Sequence, residues 1–191
     1  MTQKVVTDKT LGSVKRYGYS QLSYDPDTEL LVDVEDGEVL PHGVEKYYVK
    51  VVSEKFVEMT QGEKDLVDAA RLPEIKRLKF LEVDARTEEI IAQGFEFPPS
   101  SGVKISMSVE QQSRIMGMYT LRNDPNLIYP ISWNSLDDTT ELTLSNASEV
   151  EAFYLTGVGT LRAILDSGTA VKDQIRLCTT KACVDAIVDP R

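Results

Sequence analysis

The sequence comprises 191 residues with 31 acidic and 21 basic side chains, which gives a formal net charge of −10. Hydrophobic residues make up 41% and charged residues 27%, so the chain can bury a core as one domain or as two small ones. The acidic excess argues against nucleic-acid binding, which needs clustered Lys and Arg, and no apolar run approaches the ~20 residues of a membrane-spanning helix.

The N-terminal part of the chain consists of short β-prone runs separated by turn residues. Residues 1–13 are polar, and we expect them to form an arm that orders only against a partner. The pattern of residues 17–24 is typical of a half-buried strand, and Asp25-Pro26-Asp27-Thr28 signals a turn into a second strand at residues 29–34. Further β-prone runs cover residues 44–52 and 56–59. The sequence thus predicts a small antiparallel β module over residues 14–59, and we assign residues 1–58 as an attachment domain.

Residues 59–94 are predicted to form a helical connector. Thr60 and Glu63 have capping-box spacing, and Gly94 is a natural residue to follow the last helical turn. Pro73 forbids an unbroken hydrogen-bond ladder, so we expect a short first helix and then a kink or a new start at Leu72-Pro73.

Beyond Pro73 the connector carries two apolar stripes. One contains Ile75, Leu78, Leu81 and Ala85, and the other contains Phe80, Val83, Ile90 and Ile91. A surface helix of a monomer normally needs one stripe. Two stripes indicate packing on two sides, either in a bundle or against another copy of the chain.

Residues 95–191 are predicted to form a domain of short hairpins and helices. Residues 95–97 with 103–107 make one hairpin, and residues 128–134 with 140–144 make a second that carries Trp133, the only tryptophan. Ser108 and Gln111 have the spacing of a second capping box, which opens a helix between the two hairpins. The fold class expected for the whole chain is therefore α+β.

The last segment has the most regular pattern in the sequence. Spacings of four and three alternate through Val150, Tyr154, Gly157, Leu161, Ile164, Gly168, Val171, Ile175, Cys178 and Ala182, which is a heptad pattern typical of a coiled coil. Asn146 and Glu149 offer a cap at its start. Two interpretations stay open: two helices broken at Asp166-Ser167-Gly168, or one long helix whose glycines let another backbone approach closely. We favour the long helix.

These patterns predict an oligomer or partner interface. Its residues are Ile75, Leu78 and Leu81 of the connector and Tyr154, Gly157, Leu161, Ile164, Gly168, Val171 and Ile175 of the last segment.

Cys178 and Cys183 are the only cysteines. If their segment is helical, five residues at ~100° each place the two side chains about 140° apart. A bridge within one helix is then disfavoured, so we expect both to be reduced core residues in a protein folded in a reducing cytoplasm.

No pattern makes a convincing catalytic or metal site. His42, the only histidine, lies in a Pro-His-Gly turn, where a solvated side chain is a simpler interpretation than a hydrolase base or a zinc ligand. A calcium loop starting at Asp33 fails because its twelfth position is Val44. Asp25, Asp27 and Asp36 are alternative ion ligands, although turn formation explains them.

Other candidate motifs fail on similar grounds. Gly157-Val158-Gly159 lacks the third glycine of a dinucleotide loop. Glu88-Glu89 and Asp137-Asp138 are adjacent pairs, whereas a glycosidase needs two carboxylates facing each other across ~5–10 Å. The tyrosines at positions 17, 19, 24, 47 and 48 are an alternative sugar-binding face, although strand packing explains them more simply. We predict no catalytic residue, no cofactor and no metal.

The order of elements from Lys64 onward resembles a known arrangement. A connector ends in Gly94-Phe95-Glu96-Phe97, Ser108 with Gln112 opens a helix, Trp133 lies in a strand before Asp137-Asp138, and a Gly-interrupted segment spans residues 168–187. This resembles an uncharacterised C-terminal domain of many small bacteriophage tail-fibre and tail-associated proteins, over about two thirds of the chain. The lead-in at residues 58–64 is also similar.

The resemblance implies a virion structural role in the tail or baseplate, in an oligomer that is often a trimer, synthesised in the cytoplasm of a bacterial host. The expected partners are other tail, baseplate or fibre proteins and further copies of the chain. The alternative is a module that binds a host receptor or glycan at the tail tip. An enzyme that degrades cell-wall or capsule polymer is disfavoured.

Overall fold

The computed structural model describes residues 3–18, 29–34 and 39–191. The fold is α+β, as the sequence predicts. Tertiary contacts divide the chain into two compact units. Unit 1 contains residues 1–75 with 179–182, and unit 2 contains residues 76–178 with 183–191.

Unit 1 contains a three-stranded antiparallel sheet. Strands β1 (Gln3–Asp8), β2 (Val14–Gly18) and β3 (Glu29–Val34) lie in the order β2-β1-β3. The prediction that residues 1–13 form an arm was wrong, because β1 is the central strand and both Val5 and Val6 are fully buried. Successive side chains of a strand point to opposite faces, so this short apolar pair anchors β1 on both sides despite its polar neighbours.

A second hairpin completes the β part of unit 1. After a short 3-10 helix at Lys46–Tyr48, β4 (Val49–Val52) pairs antiparallel with β5 (Lys55–Glu58). The connecting Ser53 and Glu54 both have positive φ, as a tight two-residue hairpin turn requires. A small core joins the buried residues Val5, Val14, Val34, Val49 and Phe56. The predicted turns at residues 25–28 and 35–37, and most of the strand predicted at 17–24, lie outside the described residues.

Helix α1 (Gln61–Ala92) is continuous through Pro73, so the predicted short first helix with a new start at Leu72-Pro73 was wrong, while the alternative of a kink stays a prediction. A proline inside a helix removes one backbone hydrogen bond. The turns before it are anchored, since the Tyr48 hydroxyl donates to Asp68 Oδ1 (2.7 Å) and Lys50 pairs with Glu63. These contacts stabilise the turns of α1 that precede Pro73.

The ends of α1 follow the sequence signals. Glu63 Oε2 accepts from the Thr60 amide (2.9 Å), as the capping box predicts, but the Thr60 hydroxyl donates to the same carboxylate instead of accepting from an amide. Gly94 has φ +72°, and a Cβ there would lie 2.2 Å from the Ile105 carbonyl oxygen. The position therefore requires glycine.

Unit 2 contains both predicted hairpins. Strand β6 (Phe95–Glu96) pairs with β7 (Lys104–Ile105), and β8 (Ile131–Asn134) pairs with β9 (Glu141–Leu144). Between them lies α2 (Val109–Leu121), whose N-cap Ser108 accepts from the Gln111 amide. The rings of Phe95, Phe97 and Trp133 surround Phe153 at centroid distances of 5.1–5.3 Å. The buried core also includes Ile105, Met107, Ile115, Met118, Leu144 and Val150.

Helix α3 (Ala147–Leu177) runs without a break through Asp166-Ser167-Gly168, which confirms the long-helix interpretation over that stretch. Its cap is the predicted one, with Asn146 Oδ1 accepting from the Glu149 amide at 3.0 Å. The second half of α1 packs antiparallel to it, because Lys76 donates to the Arg176 carbonyl and Asp84 pairs with Lys172.

The chain after α3 departs from the sequence prediction. The helix ends at Leu177, Cys178 takes an extended backbone with ψ 136°, and a separate helix, α4 (Lys181–Asp185), follows. The cysteines form a disulfide across a Cα–Cα distance of 5.4 Å, so the expectation that both are reduced was wrong. The helical angle of about 140° does not apply, because the chain leaves the helix between them.

Candidate functional site

The heptad positions of α3 face the interior of unit 2. Gly157, Gly168, Val171 and Ile175 are buried, and Leu161 and Ile164 are half-buried against the core. Tyr154 stacks on Tyr119 of α2 with ring centroids 3.9 Å apart. These residues make contacts within the chain, and their predicted contact with another chain stays a prediction.

The two heptad glycines allow side chains, rather than another backbone, to approach the helix. A Cβ at Gly157 would lie 3.1 Å from the Phe95 ring. A Cβ at Gly168 would lie 2.9 Å from the Thr87 hydroxyl and 2.7 Å from Arg191 Nη1. Both glycines therefore serve close packing inside unit 2.

The two apolar stripes of α1 have different environments. Val83, from the stripe that faces α3, is buried, while Phe80, Ile90 and Ile91 are half-buried. The other stripe contains Leu78 and Leu81, whose side chains are 46% and 51% exposed. Ile75 is half-buried and belongs to unit 1. We call the pair Leu78 and Leu81 the outer stripe.

A polar cleft of about 420 Å³ lies between α2 and the β8–β9 hairpin of unit 2. Gln111 and Arg114 form its helical wall, since residues three apart lie on one helix face. Ser132 and Asn134 form the strand wall, since alternate residues of a strand share a face. Trp133, Ser106, Ser135, Leu136 and Asp138 complete the lining.

The charged groups in and beside the cleft differ in the contacts that they make. The Arg114 guanidinium lies 4.6 Å from the centroid of the Trp133 ring and donates to Gln111 Oε1 at 3.1 Å. Asp137, beside the cleft, accepts from the Ser135 and Thr139 hydroxyls at 2.6 and 2.9 Å. These hydrogen bonds, that from Ser135 first, lower the pKa of Asp137 below its ordinary value. Asp137 therefore stabilises the turn, and the Asp138 carboxylate lines the cleft.

A second polar cluster surrounds Arg191 in unit 2. Its guanidinium donates to the Thr87 hydroxyl (3.0 Å) and the Val83 carbonyl (3.2 Å) of α1 and pairs with Asp189. The hydrogen bond from Arg191 lowers the pKa of Asp189, and the same bond raises the pKa of Arg191. Arg86 donates to the main-chain oxygen of Arg191 at 2.8 Å. The cluster holds Arg191 against α1.

The other candidate motifs do not come together as a site among the described residues. In the described part of the chain, no cluster of three or more His, Cys, Asp or Glu side chains is arranged to hold a metal, and no helix is long and apolar enough to cross a membrane. His42 is exposed in its turn, and Gly157 to Gly159 lie inside α3. Asp25, Asp27 and Asp36 lie outside the described residues.

The tyrosines considered for sugar binding do not form one described face. Tyr17 is 46% exposed and packs edge-on against Phe56, Tyr47 lies beneath Arg71, and the Tyr48 hydroxyl is bonded to Asp68. Burial and the carboxylate of Asp68 raise the pKa of Tyr48. Tyr19 and Tyr24 lie outside the described residues.

Sequence reasoning missed the cleft and the Arg191 cluster. The alternation of Ser132 and Asn134 with buried residues was a signal that they share a face. Their approach to Gln111 and Arg114 depends on how α2 packs on the hairpin, which no local pattern encodes. Arg191 meets α1 across more than one hundred positions of sequence, and no motif precedes it.

Comparison with curated proteins finds no match, and neither does comparison with solved structures. A family model described as "Domain of unknown function (DUF4376)" matches residues 74–188. The match begins in α1 and includes both hairpins of unit 2, α2, α3 and α4. Because it covers more than half of the sequence, the chain belongs to the DUF4376 family.

Proposed function

We propose that the chain is a non-enzymatic structural protein of a bacteriophage tail, a connector or adaptor of the baseplate or fibre. It acts by associating with its own copies, as a trimer, and by docking to other tail proteins. The resemblance of residues 58–64 and 94–187 to tail-associated proteins suggests the setting. The observation that supports docking is the outer stripe of α1.

The outer stripe has the properties of a contact surface. Val83 is buried and the rest of its stripe is half-buried, whereas about half of each Leu78 and Leu81 side chain stays exposed. Complete burial of a leucine side chain is worth about 1.5–3 kcal/mol, so covering the remaining half of each would contribute about 1 kcal/mol per side chain. Because each copy of an oligomer carries the same two leucines, their burial would contribute to the free energy of association.

The test is incorporation into phage particles. Particles made from the genome that encodes the chain should contain it in a fixed copy number, measured by quantitative mass spectrometry of purified virions. Deletion of residues 1–58 should abolish incorporation if the β-rich part attaches the protein to the tail. The full-length Ile128→Lys variant is the control, because this loop side chain is 84% exposed and lies outside α1.

Two results would contradict the proposal. Absence of the chain from purified particles would exclude a virion role. Particles that incorporate the deletion variant but no longer adsorb to cells would support the receptor-binding alternative instead, with the N-terminal module as the receptor-binding part.

A further inference from the structure

We propose that the polar cleft between α2 and the β8–β9 hairpin binds a neutral saccharide. Its volume of about 420 Å³ falls within the range of small-ligand sites, roughly 300–1,000 Å³. All of its lining residues belong to unit 2, so the site is formed by one compact unit. The proposal does not depend on a role in a phage tail.

The hydrogen-bonding groups of the cleft suit a polyhydroxylated ligand. Within the described part of the chain, no protein hydrogen bond engages the side chains of Ser132, Asn134 or Asp138. Asn134 offers both a donor and an acceptor, Ser132 offers a hydroxyl, and the Asp138 carboxylate accepts. A sugar presents adjacent hydroxyls that each donate and accept, which matches this mixture.

The charge of the lining favours a neutral ligand over an ion. Among the described residues that line the cleft, Arg114 carries the one positive charge and Asp138 the one negative charge. The Arg114 guanidinium also lies over the Trp133 ring and donates a hydrogen bond to Gln111. Tight phosphate sites use several cations or bidentate arginines, and a cluster of that kind is missing from the described lining.

The geometry supports binding rather than cleavage. A glycosidase uses two carboxylates facing each other across the scissile bond. Asp137 is held by the Ser135 and Thr139 hydroxyls, which leaves Asp138 as the one carboxylate of the described lining. Trp133 is only 6% exposed, so recognition falls to the hydrogen-bonding side chains more than to stacking on its ring.

The position of Trp133 provides the assay. It is the only tryptophan of the chain and lies against the cleft, so its fluorescence reports on ligand entry without contribution from another indole. The full-length protein is titrated with neutral sugars such as glucose, galactose, mannose and N-acetylglucosamine, and with neutral oligosaccharides from a glycan array. We expect a saturable change for at least one sugar, with a dissociation constant on the order of 1 mM or below.

Substitutions in the lining test whether the sugar binds in the cleft. Asn134→Ala should weaken the affinity about three- to tenfold, the effect of one net hydrogen bond. Ser132→Leu should also weaken it, because it replaces a hydroxyl of the lining with a larger apolar side chain. The matched control is Asn123→Ala, the same change at an exposed position outside the cleft, which should leave the affinity unchanged. Circular dichroism and thermal melting verify that each variant is folded.

Three results would overturn the proposal. The first is the absence of saturable binding by any neutral sugar tested. The second is binding that Asn134→Ala and Ser132→Leu leave intact. The third is displacement of the sugar by inorganic phosphate or sulfate at lower concentration, which would assign the cleft to anions.

Discussion

Gly168 is the residue whose substitution most directly tests the packing of the C-terminal segment. An alanine in a helix interior is favoured over glycine by about 1 kcal/mol. At Gly168 the added Cβ would collide with the Thr87 hydroxyl and Arg191 Nη1. This would disturb the hydrogen bond between these two groups and those that they donate to the Val83 and Ile164 carbonyls, each worth about 0.5–1.5 kcal/mol. We expect Gly168→Ala to lower the free energy of unfolding by about 1 kcal/mol net, measured by urea denaturation.

Gly159 supplies the matched control on the same helix. A Cβ there meets no heavy atom within 4 Å, so Gly159→Ala should raise the free energy of unfolding by up to about 1 kcal/mol. Equal stabilisation by both substitutions would show that Arg191 does not occupy the space beside Gly168.

A second residue-scale prediction concerns the pH dependence of stability through Glu63. Its hydrogen bond with Lys50 and the bonds from Thr60 lower its pKa from 4.5 to about 2. A carboxylate with a depressed folded-state pKa stabilises the fold above the unfolded pKa and loses that effect as pH falls through the folded pKa. The stability difference between the native protein and Glu63→Gln should therefore be largest near neutral pH and shrink between about pH 5 and pH 2.

Urea denaturation at a series of pH values measures this difference. Glu88→Gln is the control, because Glu88 is an exposed glutamate of the same helix without a hydrogen bond or ion pair to a described residue. A difference for Glu63→Gln that stays constant with pH would mean that the contact with Lys50 does not form in solution.

Local residue patterns predicted the boundaries that depend on neighbouring residues. The caps at Ser108 and Asn146, the glycine at position 94 and the Glu63 half of the Thr60 capping box are present, because each depends on hydrogen bonds or backbone angles within a few residues. The Arg191 cluster could not be predicted, since its partners Val83 and Thr87 are distant in sequence and meet it only through tertiary packing.

At the scale of elements, β1 and α1 show where local patterns fail. Residues 3–8 read as a polar arm, yet pairing with β2 and β3 on both sides makes them the centre of a sheet. Pro73 reads as a helix break, yet contacts in the flanking turns keep α1 continuous. In both cases contacts distant in sequence outweigh the local preference.

The end of α3 carries the next prediction. The disulfide between Cys178 and Cys183 constrains the turn that leads from α3 into α4. For a loop of this size, the chain-entropy model gives about 2 kcal/mol of stabilisation. Reduction should therefore lower the free energy of unfolding by about that amount, measured by urea denaturation with and without dithiothreitol.

The double variant Cys178→Ser/Cys183→Ser is the control for the reductant. It should match the reduced protein in stability and show no response to dithiothreitol. Two free thiols in the native protein, counted with a thiol reagent under non-reducing conditions, would contradict the disulfide.

At the scale of the whole molecule, the fold class and both C-terminal hairpins follow from the sequence, while the division at residue 75 does not. The sequence suggested boundaries at residues 58 and 94, where composition and cap signals change. The tertiary contacts divide the chain inside α1, because the first half of the helix packs with the β strands and the second half packs with α3. A continuous helix has no local signal for such a change of packing partner.

The oligomeric state is the last prediction and concerns the whole molecule. If the outer stripe is covered by other copies, light scattering over a range of concentrations should give the mass of three chains. Leu78→Lys/Leu81→Lys places two charges on a surface that would be buried, so the double variant should be monomeric while remaining helical by circular dichroism. Ile128→Lys, the same kind of change at a single exposed loop position, should remain trimeric. A native protein that is monomeric at every concentration, or a double variant that remains trimeric, would show that the outer stripe does not join copies of the chain.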